Sequence, residues 1–223
     1  MVSVDIVSYT QNPSETIYRA CFQCKHLCYK YNTDEEKLKP ITEKDKVIRK
    51  VIENGHLSVL EHVSITFRIA SISRACSHQL VRHRLASYSQ LSQRYVQQDD
   101  LVFITPKSIN NNDVFGDKVL DIHNQIIALY KDMLLAGIPK EDARYILPEG
   151  TETQLIMTMN CRELLHFFEE RLCNHAQEEI RNLAKAMLAL SKQVIPVVFE
   201  NAGPKCKRLG HCPETKPCGM VVM

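Results

Sequence analysis

No stretch of the chain approaches the roughly 18 consecutive apolar residues that a bilayer-spanning helix needs, so no span is expected. The N-terminal MVSVDIVSYTQ lacks a basic region followed by an apolar run, which argues against secretion. An excess of one charge sign is missing too. Against 28 Lys and Arg stand 26 Asp and Glu, and the net +2 excludes polyanion binding by bulk electrostatics. Aromatic residues make up only 7%, few for a surface that would stack nucleic-acid bases. No internal repeat is present. What remains is 223 residues of ordinary globular composition, 44% hydrophobic and 24% charged, enough to bury a real core. The chain is read as one domain over 1–202 followed by a Cys-containing tail over 203–223. Nine cysteines without a leader read as reduced thiols in a cytoplasm rather than a disulfide framework.

Patterning predicts an α+β fold with helices dominant and a mixed or antiparallel sheet. Strands are expected at 4–9, 63–70 and 153–160, where β-branched residues alternate, and LVFIT (101–105) stops at Pro106. Helices are expected over 14–31 with Ser14 as N-cap, from Thr42 to the stop at Asn54-Gly55, and over 73–84. Further helices are expected over 115–136, shortly after Pro139, over RELLHFFEERL, and over AQEEIRNLAKAMLALSKQV up to Pro196. Residues 85–98 read as a polar connecting segment.

That segment belongs to the most unusual absence in the chain. From His62 through Gln98 there is no Asp, no Glu and no Lys, yet there are five arginines: Arg68, Arg74, Arg82, Arg84 and Arg94. A guanidinium fork binds phosphate in two-point fashion, so arginine without lysine points to geometry rather than general attraction. Gln79 and Arg82 are i, i+3 on the expected helix, placing an amide beside a guanidinium, which suits a ligand with a ring and a phosphate. The competing reading is a solvated basic face, or arginines paired with carboxylates from elsewhere in the fold. Ser92 among them serves either as a nucleophile activated by a base such as His83 or, by position, as part of a phosphate cradle.

A second constellation is NCRELLHFFEER (160–171). Residues eleven apart on a helix return to within about 20°, so Asn160 and Arg171 share a stripe, and His166 is i+4 from Arg162. The alternative is an amphipathic helix with surface arginines. Cys76 and Cys161 sit in apolar stretches and read as small core residues. Cys21, Cys24 and Cys28 fall on one face of the first helix, while Cys206, Cys212 and Cys218 punctuate the tail beside His211. They read either as ligands of a structural metal or as buried thiols and a loosely ordered tail. Spacings of five intervening residues differ from the CxxC knuckle, and no metal is assigned.

Taken in order, four of these segments resemble the flavin-dependent thymidylate synthase family. They are Gly55-His56-Leu57-Ser58 with Glu61-His62, Arg82-His83-Arg84 with Ser92 and Arg94-Tyr95, Ala143 through Pro148, and Asn160 through Arg181. The resemblance covers about residues 40–200 and implies a homotetramer with sites built where subunits meet, converting dUMP to dTMP. Methylenetetrahydrofolate would donate the carbon and NADPH, through FAD, the reducing equivalents. By the same resemblance, FAD would be held by Ser58, Arg82, His83, Arg84, Gln90, Asn160, Cys161, Arg162 and His166. dUMP would contact Gln79, Arg82, Gln90, Leu91, Ser92, Gln93, Arg94 and Arg171, with Arg144 coming from another subunit. Arg171 would be the catalytic residue at the uracil, and His56 would lie near a folate or nicotinamide pocket. Glutamine stands at position 90 where many members have glutamate, and His166 where some carry asparagine, which adds pH dependence near neutrality. Two other classes compete with this enzyme reading. An arginine-rich nucleic-acid module predicts steeply salt-dependent binding, and a Cys-based metal protein predicts bound metal without flavin.

Overall fold

Alternating burial is the clearest local signature of the fold. In the segment Glu152–Asn160, Thr153, Leu155, Met157 and Met159 point inward while their neighbours are half-buried or exposed. Side chains of a strand alternate between its two faces, so this pattern sets the register directly. The computed structural model describes residues 2–24, 41–95 and 101–219. It contains a four-stranded antiparallel sheet in the order β1-β2-β4-β3, with β1 Ser3–Tyr9, β2 Ser64–Ser73, β3 Ala86–Gln90 and β4 Glu152–Asn160. The expectation of an α+β fold with an antiparallel sheet holds. Between the two central strands, the hydroxyls of Thr66 and Thr158 meet at 3.0 Å.

The helices are α1 Pro13–Cys24, α2 Ile41–Glu53, α3 Arg74–Leu80, α4 Lys107–Asn110, α5 Gly116–Leu135, α6 Lys140–Ala143, α7 Cys161–Arg171, α8 Glu178–Val194, α9 Pro196–Phe199 and α10 Lys205–Leu209. Short 3-10 turns occupy Leu57–His62 and Arg144–Ile146. The helix expected over 14–31 is described as far as Cys24, and its remainder, Cys28 included, lies outside the described residues. The helix expected over 73–84 ends at Leu80, so Arg82, His83 and Arg84 lie beyond its C-cap at Val81 rather than on it. The polar segment yielded strand β3, which the pattern misses because serine and glutamine on a half-exposed strand carry no hydrophobic alternation. LVFIT forms no strand but an isolated bridge, Phe103 opposite Thr151, closed by the Ile104 N–H donating to the Gly150 carbonyl and the Glu152 N–H donating to the Val102 carbonyl. No helix of the described residues is long and apolar enough to cross a membrane.

Two junctions share one device. Ser73 ends β2 and caps α3, its hydroxyl accepting from the Cys76 N–H at 3.0 Å. Asn160 ends β4 and caps α7, its amide oxygen accepting from the Glu163 N–H at 2.9 Å. Each cap satisfies a donor that the first helical turn leaves open. Both helices therefore begin at a fixed point on a central strand.

The chain forms two compact units. One comprises Met1–Ser3, Ile69–Arg82 and Tyr88–Ile156, the other Val4–Arg68, His83–Ser87 and Met157–Met223. In the first, Leu101, Tyr130 and Ala143 form a small core with Phe103, Ile127 and Leu134 packed on it. In the second, Phe67, Phe167, Phe168 and Phe199 are fully buried, and the rings of Phe168 and Phe199 meet edge to face at 5.8 Å.

Candidate functional site

In the second unit, the residues after α3 meet helix α7. The imidazole of His83 is buried, and its ring packs edge-on against Phe167 with centroids 5.0 Å apart. The Nε of Arg171, the last residue of α7, donates to His83 Nε2 at 3.1 Å. That contact sets the tautomer. With Nε2 accepting, the proton of the neutral ring sits on Nδ1, which lies 3.3 Å from Glu163 Oε1. Burial, followed by the charges of Arg171 and His166, lowers the His83 pKa from 6.5 to about 4, so the ring is neutral at physiological pH. Burial raises Glu163 against the lowering effect of His166 and Arg162. The exposed His166 completes the group, its ring centroid 5.6 Å from that of His83.

His83, Glu163 and His166 bring their ligand atoms within 4.8 Å of one another, which is metal-like spacing. The guanidinium at 3.1 Å weighs against that reading, because it keeps the ring proton on Nδ1, the nitrogen that faces Glu163, and adds a fixed positive charge. The arrangement instead orients Arg171. Its Nε is engaged, and a guanidinium held through Nε keeps its two terminal nitrogens available for a ligand.

Around this core the structure distributes the remaining second-unit residues. Asn160 uses its side-chain oxygen as the α7 cap. Arg162 is exposed and pairs with Glu61 at 2.5 Å. Cys161 is fully buried, and burial pushes its thiol up to about 12, so it packs and does not act as a thiolate. Ser58 and His56 are exposed, Ser58 on the 3-10 turn and His56 at its start. Arg84 is exposed, and so is Arg82 at the end of the first unit's Ile69–Arg82 segment. Among the described residues neither pairs with a carboxylate.

The first unit carries a different cluster. Arg74, Gln93, Arg144 and Tyr145 line a cavity of about 220 Å³ together with Pro148 and Glu149. Two buried atoms there, Arg74 Nη1 and Gln93 Nε2, have no hydrogen-bond partner among the described residues. Unpaired buried donors are rare and call for an explanation, and an anionic ligand supplies one. Burial lowers the Arg74 pKa, with Glu149 raising it and the Arg144 charge lowering it further. Gln93 and Arg144 were expected at a ligand site, whereas Arg74 was not. It carried a signal all the same, as one of the arginines in the acid-free window.

Nearby, Gln90 donates to Ser77 Oγ at 2.9 Å and Thr153 Oγ1 at 3.1 Å, which pins its side chain. Leu91 is half-buried and donates its N–H to the Gln154 carbonyl. Ser92 Oγ accepts from the Arg94 N–H at 3.3 Å, a turn-forming role that favours the cradle reading over the nucleophile. Arg94 is exposed and pairs with Glu141 at 3.0 Å. Arg68 likewise meets Asp5 at 3.4 Å. The reading of paired surface arginines thus applies to Arg68 and Arg94, but not to Arg82 and Arg84. Gln79 is half-buried on α3.

Known proteins resemble this chain over nearly its full length. The family model described as thymidylate synthase complementing protein matches residues 5–197. A protein of Nitratidesulfovibrio vulgaris named flavin-dependent thymidylate synthase is 41% identical over 222 residues, covering 95% of this chain and 91% of the relative. Proteins of the same name from Pyrococcus furiosus and Geobacter sulfurreducens are each 42% identical, covering 96% of this chain and 90% and 91% of their own lengths. A match over nearly the whole chain, joined to an oriented Arg171 and an arginine-lined cavity, leads to one conclusion: this chain belongs to the thymidylate synthase complementing protein family, among the relatives named flavin-dependent thymidylate synthase.

Proposed function

We propose that this chain is a flavin-dependent thymidylate synthase that methylates dUMP to dTMP, taking carbon from methylenetetrahydrofolate and reducing equivalents from NADPH. The observation that carries the reading is the guanidinium of Arg171, aimed by a buried neutral histidine at the end of a capped helix. Uracil C5 is a poor nucleophile until negative charge develops across N3, C4 and O4, and a fixed cation stabilises that charge. Arg171 meets the need because its guanidinium stays protonated and presents a planar edge to N3 and O4. The fully buried, high-pKa Cys161 is not suited to attack uracil C6, in keeping with a reaction that uses no thiolate.

The residues present fit FAD. Arg82 and Arg84 are exposed cations without a carboxylate partner among the described residues, as a pyrophosphate requires; His83 stands between them in sequence, and the exposed His166, its ring 5.6 Å from that of His83, offers a ring nitrogen. Ser58, Gln90, Asn160 and Arg162 extend this set, with Cys161 as the buried spacer between the last two. FAD, when bound, supplies the reducing equivalents.

For dUMP, Arg74, Gln93 and Arg144 form the phosphate grip, with Gln90, Leu91, Ser92 and Arg94 as its backbone and side-chain rim and Gln79 and Arg82 on the nucleotide's other side. Since Arg144 shares one cavity with Gln93 and Arg74, a subunit that lends Arg144 to a neighbour lends all three. The homotetramer with shared sites is carried over from the family resemblance. Free cysteines throughout the described residues suit the reducing cytoplasm. His56 is assigned to the folate or nicotinamide side. The test is direct: purified protein should be yellow, bleach with NADPH, release FAD on denaturation and form dTMP when the three substrates are supplied. A colourless protein without dTMP formation would refute the assignment.

A further inference from the structure

From Lys205 to Gly219 every residue is exposed except three, and those three are Cys206, Cys212 and Cys218. A tail that turns only its cysteines inward is not packing an apolar face. They turn toward a fourth cysteine, Cys173, two residues beyond the C-terminal end of α7. All four line one cavity of about 280 Å³, and all four belong to the second unit. None forms a disulfide.

We propose that Cys173, Cys206, Cys212 and Cys218 are the four ligands of a structural zinc ion that ties the tail to the end of helix α7. Four thiolates with no open position make a closed tetrahedral site, the arrangement zinc favours when its role is structural. Binding converts four thiols to thiolates and releases four protons to solvent. Four sulfurs gathered around one cavity are stabilised together as thiolates once a dication stands between them.

The backbone is shaped for the site. Gly210, at φ +72°, reverses the chain after α10, a conformation that only glycine adopts readily, and Pro213 and Pro217 stiffen the return. Two polar ties already hold the tail near Cys173: Arg208 pairs with Glu169, and the His175 ring nitrogen Nε2 meets the Lys216 carbonyl at 2.8 Å. Exposed ties of this kind stabilise little on their own. The four sulfurs do not all lie within 4.8 Å of one another, whereas bonds of about 2.3 Å to one tetrahedral ion imply an edge of about 3.8 Å, so binding draws the tail inward.

The experiment uses the full chain produced in zinc-supplemented medium and desalted. Elemental mass spectrometry is expected to find one zinc per chain. Cys206→Ser and Cys212→Ser should each lose it, while His211→Ala, whose ring faces the Leu209 carbonyl, should keep it. Because a serine variant can fail to fold, the wild-type protein is also alkylated before and after chelation. The four cysteine peptides should be protected until zinc is removed. Chain without zinc, full zinc content in both serine variants, or equal alkylation with and without the metal would each overturn the proposal. Neither readout depends on flavin or on dTMP formation, so an inactive protein leaves the test intact.

Discussion

At the residue scale, the relation between His83 and Arg171 is the most consequential contact. An arginine without that anchor points nowhere in particular. Arg171→Ala is expected to lower dTMP formation by at least about 10²–10³-fold, the usual loss for one well-aimed stabilising group, while FAD stays bound. Steady-state turnover and the flavin spectrum measured on one sample check both halves. Arg74→Ala should weaken dUMP binding roughly ten- to a hundredfold, the range for a charged hydrogen bond lost from a buried site. Isothermal titration with dUMP gives the answer, and unchanged affinity would remove Arg74 from the phosphate grip. His83 also leaves a mark on stability. Its ring is held to about 4 from an ordinary 6.5. Between those values the unfolded chain binds a proton that the native ring refuses, so its stabilisation is complete above pH 6.5 and is lost as pH falls toward about 4. Glu163 acts in the opposite sense, since its raised pKa makes a native-state cost that acidification relieves. Thermal unfolding of the wild type should therefore fall more steeply from pH 6.5 to 4 than that of His83→Gln. Equal slopes would show that the ring is not held neutral.

At the scale of elements, strand ends do the positioning. Helix α7 starts where β4 stops because Asn160 caps it, and Arg171 sits at its far end for the same reason. Asn160→Ala should cost about 1 kcal/mol in denaturant unfolding, with Asn160→Asp restoring it, since aspartate caps as well as asparagine. If both variants lose the same stability, the cap is not what the residue provides. The helical stripe joining Asn160 to Arg171 was legible from spacing, although Asn160 stands at the cap and not within the helix. The helix expected over 73–84 ends early, and this is why His83 can turn away from α3 and bury itself against Phe167. Residue types alone do not mark that stop, because neither Gly nor Pro follows Leu80. Strand β3 was illegible for a related reason, since its residues are polar and half-exposed.

At the scale of the whole molecule, the prediction concerns shared sites. Arg144→Ala and Arg171→Ala proteins, each impaired alone, should regain part of their activity at limiting dUMP when co-expressed, because in the proposed homotetramer some mixed assemblies hold one site with both arginines intact. No recovery would place both residues of each site on one chain. The sequence by itself determined the α+β class, the strands β1, β2 and β4, the long helices and the ordered arginine, histidine and asparagine segments that mark the family. These are local properties, written in periodicity, caps and side-chain chemistry. Only the tertiary structure decided which arginines are engaged by carboxylates, that Arg74 joins Gln93 and Arg144, that His83 is neutral and aims Arg171, and that the tail cysteines face Cys173. Each of these depends on distance and burial between residues far apart in the chain, and no local pattern carries that information.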